Sequence, residues 1–301
     1  MAEDEDARIE TVTTGISCAA PAKVNLHLGI HTGRDERGYH RADSVMAALD
    51  LSDEVQVRRA PAGAGLTVTV EPALDVPAER TLVARVALRL AEELGQAPDL
   101  DIHVVRHIPD KSGLGSSSTD AAAVLRALAE LWGIEARDDR VVSIARQAGA
   151  DVAFFLDPRP SWLDGVGDCL REAYPALGGL PVALVRPEGG VSTAEAYREF
   201  DRMPEQAANP EAICSVLRTG AVTAEKLAPL LFNNLQGAAE RLQPAVGEVR
   251  AWLEAQPGVV GVLMCGSGSC VFALCEDDAA AEAIATSAAA RTWWSRAAHL
   301  L

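Results

Sequence analysis

The sequence predicts an α+β protein, because strand-like and helix-like segments are mixed in both halves of its 301 residues. Residues 66–71 (LTVTVE) alternate apolar and polar side chains, which is the pattern of a half-buried strand. Residues 80–95 carry leucine and valine at helical spacing and predict an amphipathic helix. The segments lack the strict strand–helix alternation of a doubly wound fold, so that class is not expected.

The remaining elements follow from periodicity and from the positions of glycine and proline. Residues 16–30 show apolar alternation after Pro21 and predict a first strand, which a polar loop with Gly33 and Gly38 follows. Further strands are expected at 42–58, 101–108 and 180–187 and twice within 259–275, and further helices at 119–131, 138–148, over most of 193–240 and at 278–291.

A change in composition indicates where the chain divides into domains. Four prolines and several glycines lie between residues 157 and 185. Such a stretch is typical of a connection between domains. We therefore expect an N-terminal domain at 11–180 and a C-terminal domain at 181–301. The opening residues 1–10 (MAEDEDARIE) are acidic and are predicted to form a disordered tail.

Composition and charge exclude several classes of function. The formal net charge of −16 argues against a nucleic-acid partner, since phosphate backbones are bound by a surplus of lysine and arginine. No apolar segment reaches the length that crosses a bilayer and no basic, apolar leader opens the chain, so the cytoplasm is the expected compartment. The six cysteines form no CxxC pair, and the three between residues 265 and 275 are expected to be buried core thiols.

The most informative stretch runs from Pro109 to Asp120 and leads directly into a predicted helix. A strand, a loop of small residues and a helix together point backbone N–H groups at an anion. Gly113 and Gly115 can adopt positive φ angles and let a phosphate approach the backbone. The predicted phosphate-binding residues are Pro109, Lys111, Ser112, Gly113, Leu114, Gly115, Ser116, Ser117, Ser118 and Thr119.

Two better-known phosphate motifs do not match this loop. It has no GxxxxGK[ST] pattern, which excludes a P-loop NTPase, and Ser118 replaces the third glycine of GxGxxG, which excludes a dinucleotide-binding turn. The simplest alternative is a helix cap by Ser118 or Thr119. Capping accounts for one or two of these residues, whereas the long run of small and polar residues favours phosphate binding.

Three segments, in the right order, resemble the motifs of the GHMP family of small-molecule kinases. Residues 109–121 match its central pattern P-x-x-x-G-L-G-S-S/G-S-x-A, residues 20–26 (APAKVNL) match the first motif and residues 265–270 (CGSGSC) the third. The resemblance implies ATP as phosphate donor, Mg²⁺ as its companion and a small-molecule alcohol as acceptor. It also implies an N-terminal domain like domain 2 of ribosomal protein S5 and a ferredoxin-like C-terminal domain.

Other segments are similar to one branch of the family, the kinases of a cytidine-diphosphate-linked methylerythritol. That branch transfers the γ-phosphoryl group of ATP to the 2-hydroxyl of its substrate in non-mevalonate isoprenoid precursor synthesis. The chain departs from the branch at Thr81, at Arg41-Ala42 and at 158–162, and it has serines where the branch has loop glycines. The similar segments are Gly38-Tyr39-His40 and residues 44–55, 149–155, 191–197 and 231–235.

The resemblance assigns catalytic roles to Lys23 and Asp151. Asp151 is the expected base for the hydroxyl proton, and Lys23 is its expected partner. A lone lysine in an apolar strand is costly unless paired, which also favours a pair. By position alone, Asp151 fits a helix N-cap equally well. Asn25, one strand period beyond Lys23, faces the same side and is expected to bind a substrate hydroxyl.

The other substrate-binding assignments rest on the resemblance. Asp151 is also expected to contact the substrate. Tyr39 and Tyr197 are expected to stack on the cytosine, and His40 to hydrogen-bond its edge. Ser267 and Gly268 are expected to approach the substrate or the phosphates, although a Gly-Ser hairpin turn is an alternative explanation.

A metal ion and a class of partner are also expected. Mg²⁺ neutralises ATP phosphates, and Ser118 and Asp120 are its nearest candidate ligands. A homoserine-like or mevalonate-like kinase is an alternative favoured by the serine-rich loop, and a non-catalytic nucleotide- or metabolite-binding paralogue is another. The Gly38-Tyr39-His40 triplet argues against the first, and the presence of Lys23 and Asp151 argues against the second. A monomer or homodimer that binds a small molecule, with no nucleic-acid or membrane partner, is expected.

Overall fold

The computed structural model describes residues 15–74 and 76–301 and confirms the α+β class. The acidic tail predicted at 1–10 lies outside the described residues. The strands are β1 (Ile16–Arg34), β2 (His40–Arg59), β3 (Leu66–Glu71), β4 (Leu100–Val105), β5 (Ser161–Asp164), β6 (Cys169–Ala173), β7 (Leu180–Arg186), β8 (Phe232–Asn233), β9 (Val259–Met264), β10 (Val271–Cys275) and β11 (Trp294–Leu300). The helices are α1 (Leu82–Leu94), α2 (Ser116–Trp132), α3 (Asp139–Ala148), α4 (Ala150–Phe154), α5 (Thr193–Arg202), α6 (Glu211–Arg218), α7 (Ala224–Leu227), α8 (Gln236–Leu242), α9 (Pro244–Glu254) and α10 (Asp278–Ala289).

The strands of both halves form one connected sheet system. Strands β1 and β2 pair antiparallel along most of their length. The main path runs β3-β4-β2-β11-β7-β10-β9, and β2 meets β11 at Leu49 and Leu300. The short strand β8 pairs in parallel with β1 at His27 and Leu28. Strand β1, which carries Lys23 and Asn25, therefore lies where the two halves of the chain meet.

Helix α1 shows how the local sequence sets the ends and the buried face of an element. The Thr81 hydroxyl accepts the N–H of Ala84 at the N-terminus, and Gly95 ends the helix with a left-handed φ of 62°. Leu90 is 0% exposed, whereas Leu88 is 44% exposed. The apolar stripe predicted from the spacing of leucine and valine therefore faces the core.

Three apolar clusters fill the interior. The first lies between β2, β4 and helices α1 to α4, and the third packs α5, α8, α9 and α10 against β7, β9 and β10. The second combines Leu26 and Val45 of the first half with Val182 and Leu184 of the second. Because this cluster crosses residue 180, the two halves share part of their core, and the domain boundary predicted there stays a prediction.

The structure differs from the sequence predictions at three places. Helix α2 begins at Ser116 instead of Thr119, with Gly115 at its N-cap, so neither Ser118 nor Thr119 caps it. The proline-rich region 157–185 contains β5 and β6, which the sequence analysis did not predict. The residues after the last predicted helix, for which no strand was predicted, form β11 because they pair along β7 and meet β2 at Leu49.

Two further expectations concern the cysteines and the membrane. The thiols of Cys265, Cys270 and Cys275 are unpaired and buried, which confirms the expected core thiols. Within residues 15–74 and 76–301, no helix has the length and apolar character that crossing a membrane requires. The buried thiols pack with the apolar side chains of the second and third clusters.

Two leucines of α1 test the orientation of this helix. Leu90→Ala removes fully buried methyl groups and is expected to lower the free energy of unfolding by about 2–5 kcal/mol. Leu88→Ala, on the exposed side of the same helix, is expected to change it by less than about 0.5 kcal/mol. Urea unfolding followed by circular dichroism measures both. Equal losses would show that the helix packs in a different rotation.

Candidate active site

The phosphate loop connects β4 to α2 and brings the start of that helix to a cavity. Gly115 is at the N-cap, and no side chain in the described part of the chain caps the helix. The first N–H groups of an α-helix have no partner within the helix. The N–H groups of Ser116 and Ser117 therefore remain available to an anion, and the helix dipole adds partial positive charge at this end.

Two glycines let the loop pack closely on its neighbours. Gly113 and Gly115 have left-handed φ angles of 80° and 84°. A β-carbon on Gly113 would lie 1.9 Å from the carbonyl oxygen of Cys265, and one on Gly115 would lie 2.8 Å from the ring of Phe155. Any larger residue at either position would displace the backbone or the ring beside it, so glycine is required by both conformation and space.

A hairpin between β9 and β10 holds the loop from the second half of the chain. Its Cys270 N–H donates to the Ser112 carbonyl at 3.0 Å, and its Ser269 N–H lies 3.3 Å from the Lys111 carbonyl. From the first half, the N–H of Lys23 donates to the Leu114 carbonyl at 3.0 Å. The loop is thus hydrogen-bonded to both halves of the chain.

Lys23, Asn25 and Asp151 lie together beside this loop. The Lys23 Nζ is 3.3 Å from Asp151 Oδ2 and donates to Asn25 Oδ1 at 2.7 Å. The Asn25 amide in turn donates to Ser44 Oγ at 2.8 Å. The Lys23 side chain is 3% exposed and that of Asp151 34%, so the carboxylate is the more accessible partner. Helix α4 has Gly149 at its N-cap, so Asp151 does not cap it.

The two tyrosines expected to stack on a base lie in different environments. Tyr197 on α5 lines the cavity, 5.4 Å from the ring of His40. Burial, with the charge of Asp151 adding to it, raises the pKa of Tyr197 to about 12, so its hydroxyl stays protonated at neutral pH. Tyr39 is 61% exposed and contacts the guanidinium of Arg37 instead.

His40 is buried, and both of its ring nitrogens have polar neighbours. Its Nδ1 is 2.7 Å from the His31 carbonyl oxygen, and its Nε2 is 3.0 Å from Asp201 Oδ1. The edge of Phe200 packs against the ring. The Nδ1 contact holds the imidazole beside Tyr197, and the Asp201 carboxylate lies next to the edge that was expected to bind a base.

A cavity of about 520 Å³ joins the phosphate loop to the second half of the chain. At its edge, Thr193 Oγ1 and Ser267 Oγ are 2.9 Å apart. Among the predicted site residues, Leu114, Thr119, Tyr39, His40 and Asp120 do not line it. Those that line it are Lys23, Asn25, Pro109, Lys111, Ser112, Gly113, Gly115, Ser116, Ser117, Ser118, Asp151, Tyr197, Ser267 and Gly268.

Of the two predicted metal ligands, only Ser118 reaches this cavity. Asp120 lies beneath the loop, with its Oδ2 3.5 Å from Arg106 Nε. Burial, and then the charge of Asp53, raise the pKa of Asp120 well above its usual range. In the described part of the chain, no three histidine, cysteine, aspartate or glutamate side chains are arranged to hold a metal ion. The Ser118 hydroxyl suits Mg²⁺ that arrives with a nucleotide, because such Mg²⁺ takes few protein ligands.

Three buried residues that shape the site were missed by the sequence analysis. Asn233 donates to the carbonyls of Met264 and Gly266, at 2.9 and 2.8 Å, and so holds the hairpin. Asp53 and Arg106 lie under the phosphate loop. A charged residue within an apolar strand was a usable signal for Asp53, since a buried charge needs a partner. For Asn233 the signal was the similarity of residues 231–235 to one branch of the family, which assigned no role to this residue.

A wider groove of about 1150 Å³ adjoins the cavity at Ala42 and Val166, which line both. Its walls carry aspartate–arginine pairs such as Asp168–Arg146, at 3.7 Å. Arg41, one of the departures noted in the sequence, also lines this groove. The groove extends the cavity beyond Ala42 along a polar, charged surface.

Sequence patterns of a known family match both halves of the chain. Residues 81–157 match the GHMP kinases N terminal domain, and residues 218–292 match the GHMP kinases C terminal domain. The first match contains the phosphate loop and Asp151, and the second contains the β9–β10 hairpin. Both matched segments therefore contribute residues to the cavity.

Similar proteins and solved structures agree with these matches. Two similar proteins are named 4-diphosphocytidyl-2-C-methyl-D-erythritol kinase. The one from Desulfitobacterium hafniense is 37% identical over 88% of this chain and 89% of its own length. The one from Nocardia farcinica is 38% identical over 92% of this chain and 90% of its own length. A crystal structure of 4-(cytidine 5'-diphospho)-2C-methyl-D-erythritol kinase is 34% identical, with a TM-score of 0.76 over 95% of this chain and 99% of its own. Homoserine kinase from Cytophaga hutchinsonii shares the fold at 22% identity, with a TM-score of 0.73 over 97% of this chain and 96% of its own. The chain therefore belongs to the GHMP kinase family of ATP-dependent small-molecule kinases.

Proposed function

We propose that this kinase transfers the γ-phosphoryl group of ATP to the 2-hydroxyl of 4-diphosphocytidyl-2-C-methyl-D-erythritol, a step in non-mevalonate isoprenoid precursor synthesis. The observation that carries the proposal is the Lys23–Asp151 pair, which lies in the same cavity as the phosphate loop. The choice of substrate is supported by the relatives whose names state it and which match most of this chain and of their own.

The phosphate loop is the proposed site of the ATP phosphates. The first N–H groups of α2 donate to the phosphate oxygens, and Lys111, which lines the cavity, adds a positive charge. Gly113 and Gly115, by packing closely against Cys265 and Phe155, let the loop adopt the conformation that lines the cavity. Mg²⁺, when bound with ATP, would neutralise charge on the phosphates, and Ser118, which lines the cavity, would contact it.

Asp151 is the proposed acceptor of the hydroxyl proton. The substrate oxygen forms a bond to the γ-phosphorus, the bond from that phosphorus to the β–γ bridging oxygen breaks, the proton passes to Asp151 and ADP leaves. The Lys23 ammonium, 3.3 Å from Asp151 Oδ2, holds the carboxylate in position and supplies positive charge near the moving phosphoryl group. Asn25, which accepts from Lys23, sits where it can also bind a substrate hydroxyl.

The cytidine end of the substrate is proposed to lie against Tyr197. This ring faces the cavity, and Ser267 and Gly268 line the space between it and the phosphate loop. A contact between the His40 Nε2 and the cytosine would bring the base next to Asp201, whose Oδ1 is 3.0 Å from that nitrogen. Tyr39 reaches the base only if its exposed loop folds towards the cavity.

The alternatives are less well supported. Homoserine kinase and a mevalonate kinase share the fold at 22% and 14% identity, so the fold alone does not select a substrate. A non-catalytic paralogue does not require a Lys23–Asp151 pair in the cavity, and this chain has one. A cytoplasmic location and a monomeric or homodimeric state stay predictions from the sequence.

A substrate panel tests the proposal directly. Purified protein with Mg-ATP is expected to release ADP with 4-diphosphocytidyl-2-C-methyl-D-erythritol and not with homoserine, mevalonate or galactose. A coupled assay for ADP measures the rate. Turnover of another alcohol would replace the proposed substrate while keeping the Lys23–Asp151 chemistry, and no turnover with any of them would remove the catalytic proposal.

Asp151→Asn tests the proposed base. The amide cannot accept the proton, so kcat is expected to fall by about 10²–10⁴. The dissociation constant for ATP is expected to stay within about twofold, because the phosphate loop is untouched. The control is Asp157→Asn, a nearby carboxylate that pairs with Arg159 outside the cavity and whose loss should leave kcat unchanged. Equal loss of ATP binding and turnover in Asp151→Asn would contradict the assignment.

Tyr197→Ala tests where the base binds. Loss of the stacking surface is expected to raise KM for the cytidylylated substrate about tenfold, since stacking on an aromatic side chain contributes about 1–3 kcal/mol per base. KM for ATP should not change. Tyr39→Ala, at the exposed position, is expected to have a smaller effect. An equal or larger effect of Tyr39→Ala would place the cytosine against the loop of Tyr39 instead.

A further inference from the structure

Asp53 is a carboxylate without solvent contact in the middle of β2. It is 0% exposed, and its neighbours along the strand include the buried Val55 and Val57. Burying an ionisable group costs free energy unless hydrogen bonds or an opposite charge compensate it. The contacts of the Asp53 carboxylate therefore show what compensates its burial.

The hydrogen bonds of Asp53 reach both ends of the phosphate loop. On the side of β4, its Oδ1 accepts the backbone N–H groups of His107 and Ile108 at 2.5 and 2.7 Å. On the side of α2, its Oδ2 accepts the Ser116 hydroxyl at 3.2 Å. One side chain therefore joins the residues before the loop to the first residue of the helix after it.

Arg106 completes this connection. Its guanidinium donates to Ser116 Oγ and makes a bidentate pair with Asp110, at 2.9 and 2.6 Å. Its Nε lies 3.9 Å from Asp53 Oδ2, and the side chain is 6% exposed. The positive charge of Arg106 offsets the buried carboxylate, and Ser116 Oγ contacts both groups.

Ser116 is the first residue of α2, and its hydroxyl is held by Asp53 and Arg106. The N–H groups of Ser116 and Ser117 are the donors proposed for the ATP phosphates, and hydrogen bonds weaken steeply once their geometry departs from the preferred range. Asp53 itself does not line the cavity. Asp53 can therefore influence the binding of ATP only through Ser116 and the loop.

We propose that Asp53 is a positioning residue for ATP: by joining His107 and Ile108 to Ser116, it holds the phosphate loop and the start of α2 in the orientation that binds the phosphates. The inference rests on the proposed binding of ATP at this loop and is independent of which alcohol the kinase phosphorylates. A purely structural role, by contrast, affects stability and both substrates alike.

The test is Asp53→Asn in the full chain. The amide oxygen of the asparagine can still accept from the two backbone N–H groups. Its amide nitrogen cannot accept the Ser116 hydroxyl, and the side chain no longer carries the negative charge that faces Arg106. Direct binding of ATP, measured by calorimetry without the alcohol, is expected to weaken about tenfold or more, because the charged acceptor that holds Ser116 is lost. The dissociation constant for the alcohol is expected to stay unchanged.

The matched control is Asp99→Asn. Asp99 also accepts two backbone N–H groups, those of Gly63 and Gly65, but in a turn at the other end of β4. Its replacement is expected to leave ATP binding unchanged. Folded Asp53→Asn protein that binds ATP as tightly as the Asp99→Asn control would overturn the proposal, and so would an equal loss of affinity for ATP and the alcohol.

Ser116→Ala tests the same proposal if Asp53→Asn fails to fold. This variant removes only the hydroxyl that Asp53 and Arg106 hold, and it is expected to weaken ATP binding while the affinity for the alcohol is kept. Unchanged ATP affinity would overturn the proposal. If both variants fold, the double mutant is informative. Its dissociation constant for ATP is expected to rise by much less than the product of the two single fold-changes, because both substitutions break the same connection. Independent losses would contradict a role through Ser116.

Discussion

The close contact between the phosphate loop and the β9–β10 hairpin is the constraint on which the site depends. The backbone at Gly113 approaches the Cys265 carbonyl so closely that no β-carbon fits, and hairpin N–H groups point at the carbonyls of Lys111 and Ser112. The loop comes from the first half of the chain and the hairpin from the second. Their contact therefore brings the two halves together at the cavity, and small residues on both sides allow it.

Buried charged residues lie on two sides of this loop, and on each side opposite charges come together. Lys23 is held by Asn25 and Asp151 beside the cavity. Asp53 and Arg106 form a second group beneath the loop. Removing ions from water costs several kcal/mol, and such groups persist only where partners satisfy them. The first group is arranged to act on the reacting hydroxyl, whereas the second acts on the geometry of the loop.

Elements with a strong local pattern could be predicted from the sequence, and elements that depend on distant partners could not. The alternation in β3 and the apolar stripe of α1 are visible within a few residues. Strands β5, β6 and β11 are short or weakly patterned, and they depend on strands that are distant in the sequence: β5 pairs with β2 and in turn carries β6, and β11 pairs with β7. The start of α2 was placed three residues late, because Gly115 ends the loop without a capping side chain.

The sequence by itself determined the phosphate loop, the family motifs and the residue types for the chemistry, because these features are encoded in short consecutive segments. Only the tertiary structure decided which of those residues share the cavity. It left Tyr39 at the surface, turned Asp120 towards Arg106 and brought Asp53 against Ser116, 63 positions away in the sequence. The physical reason is that the direction of a side chain depends on the packing and charge of neighbours that are distant in the sequence.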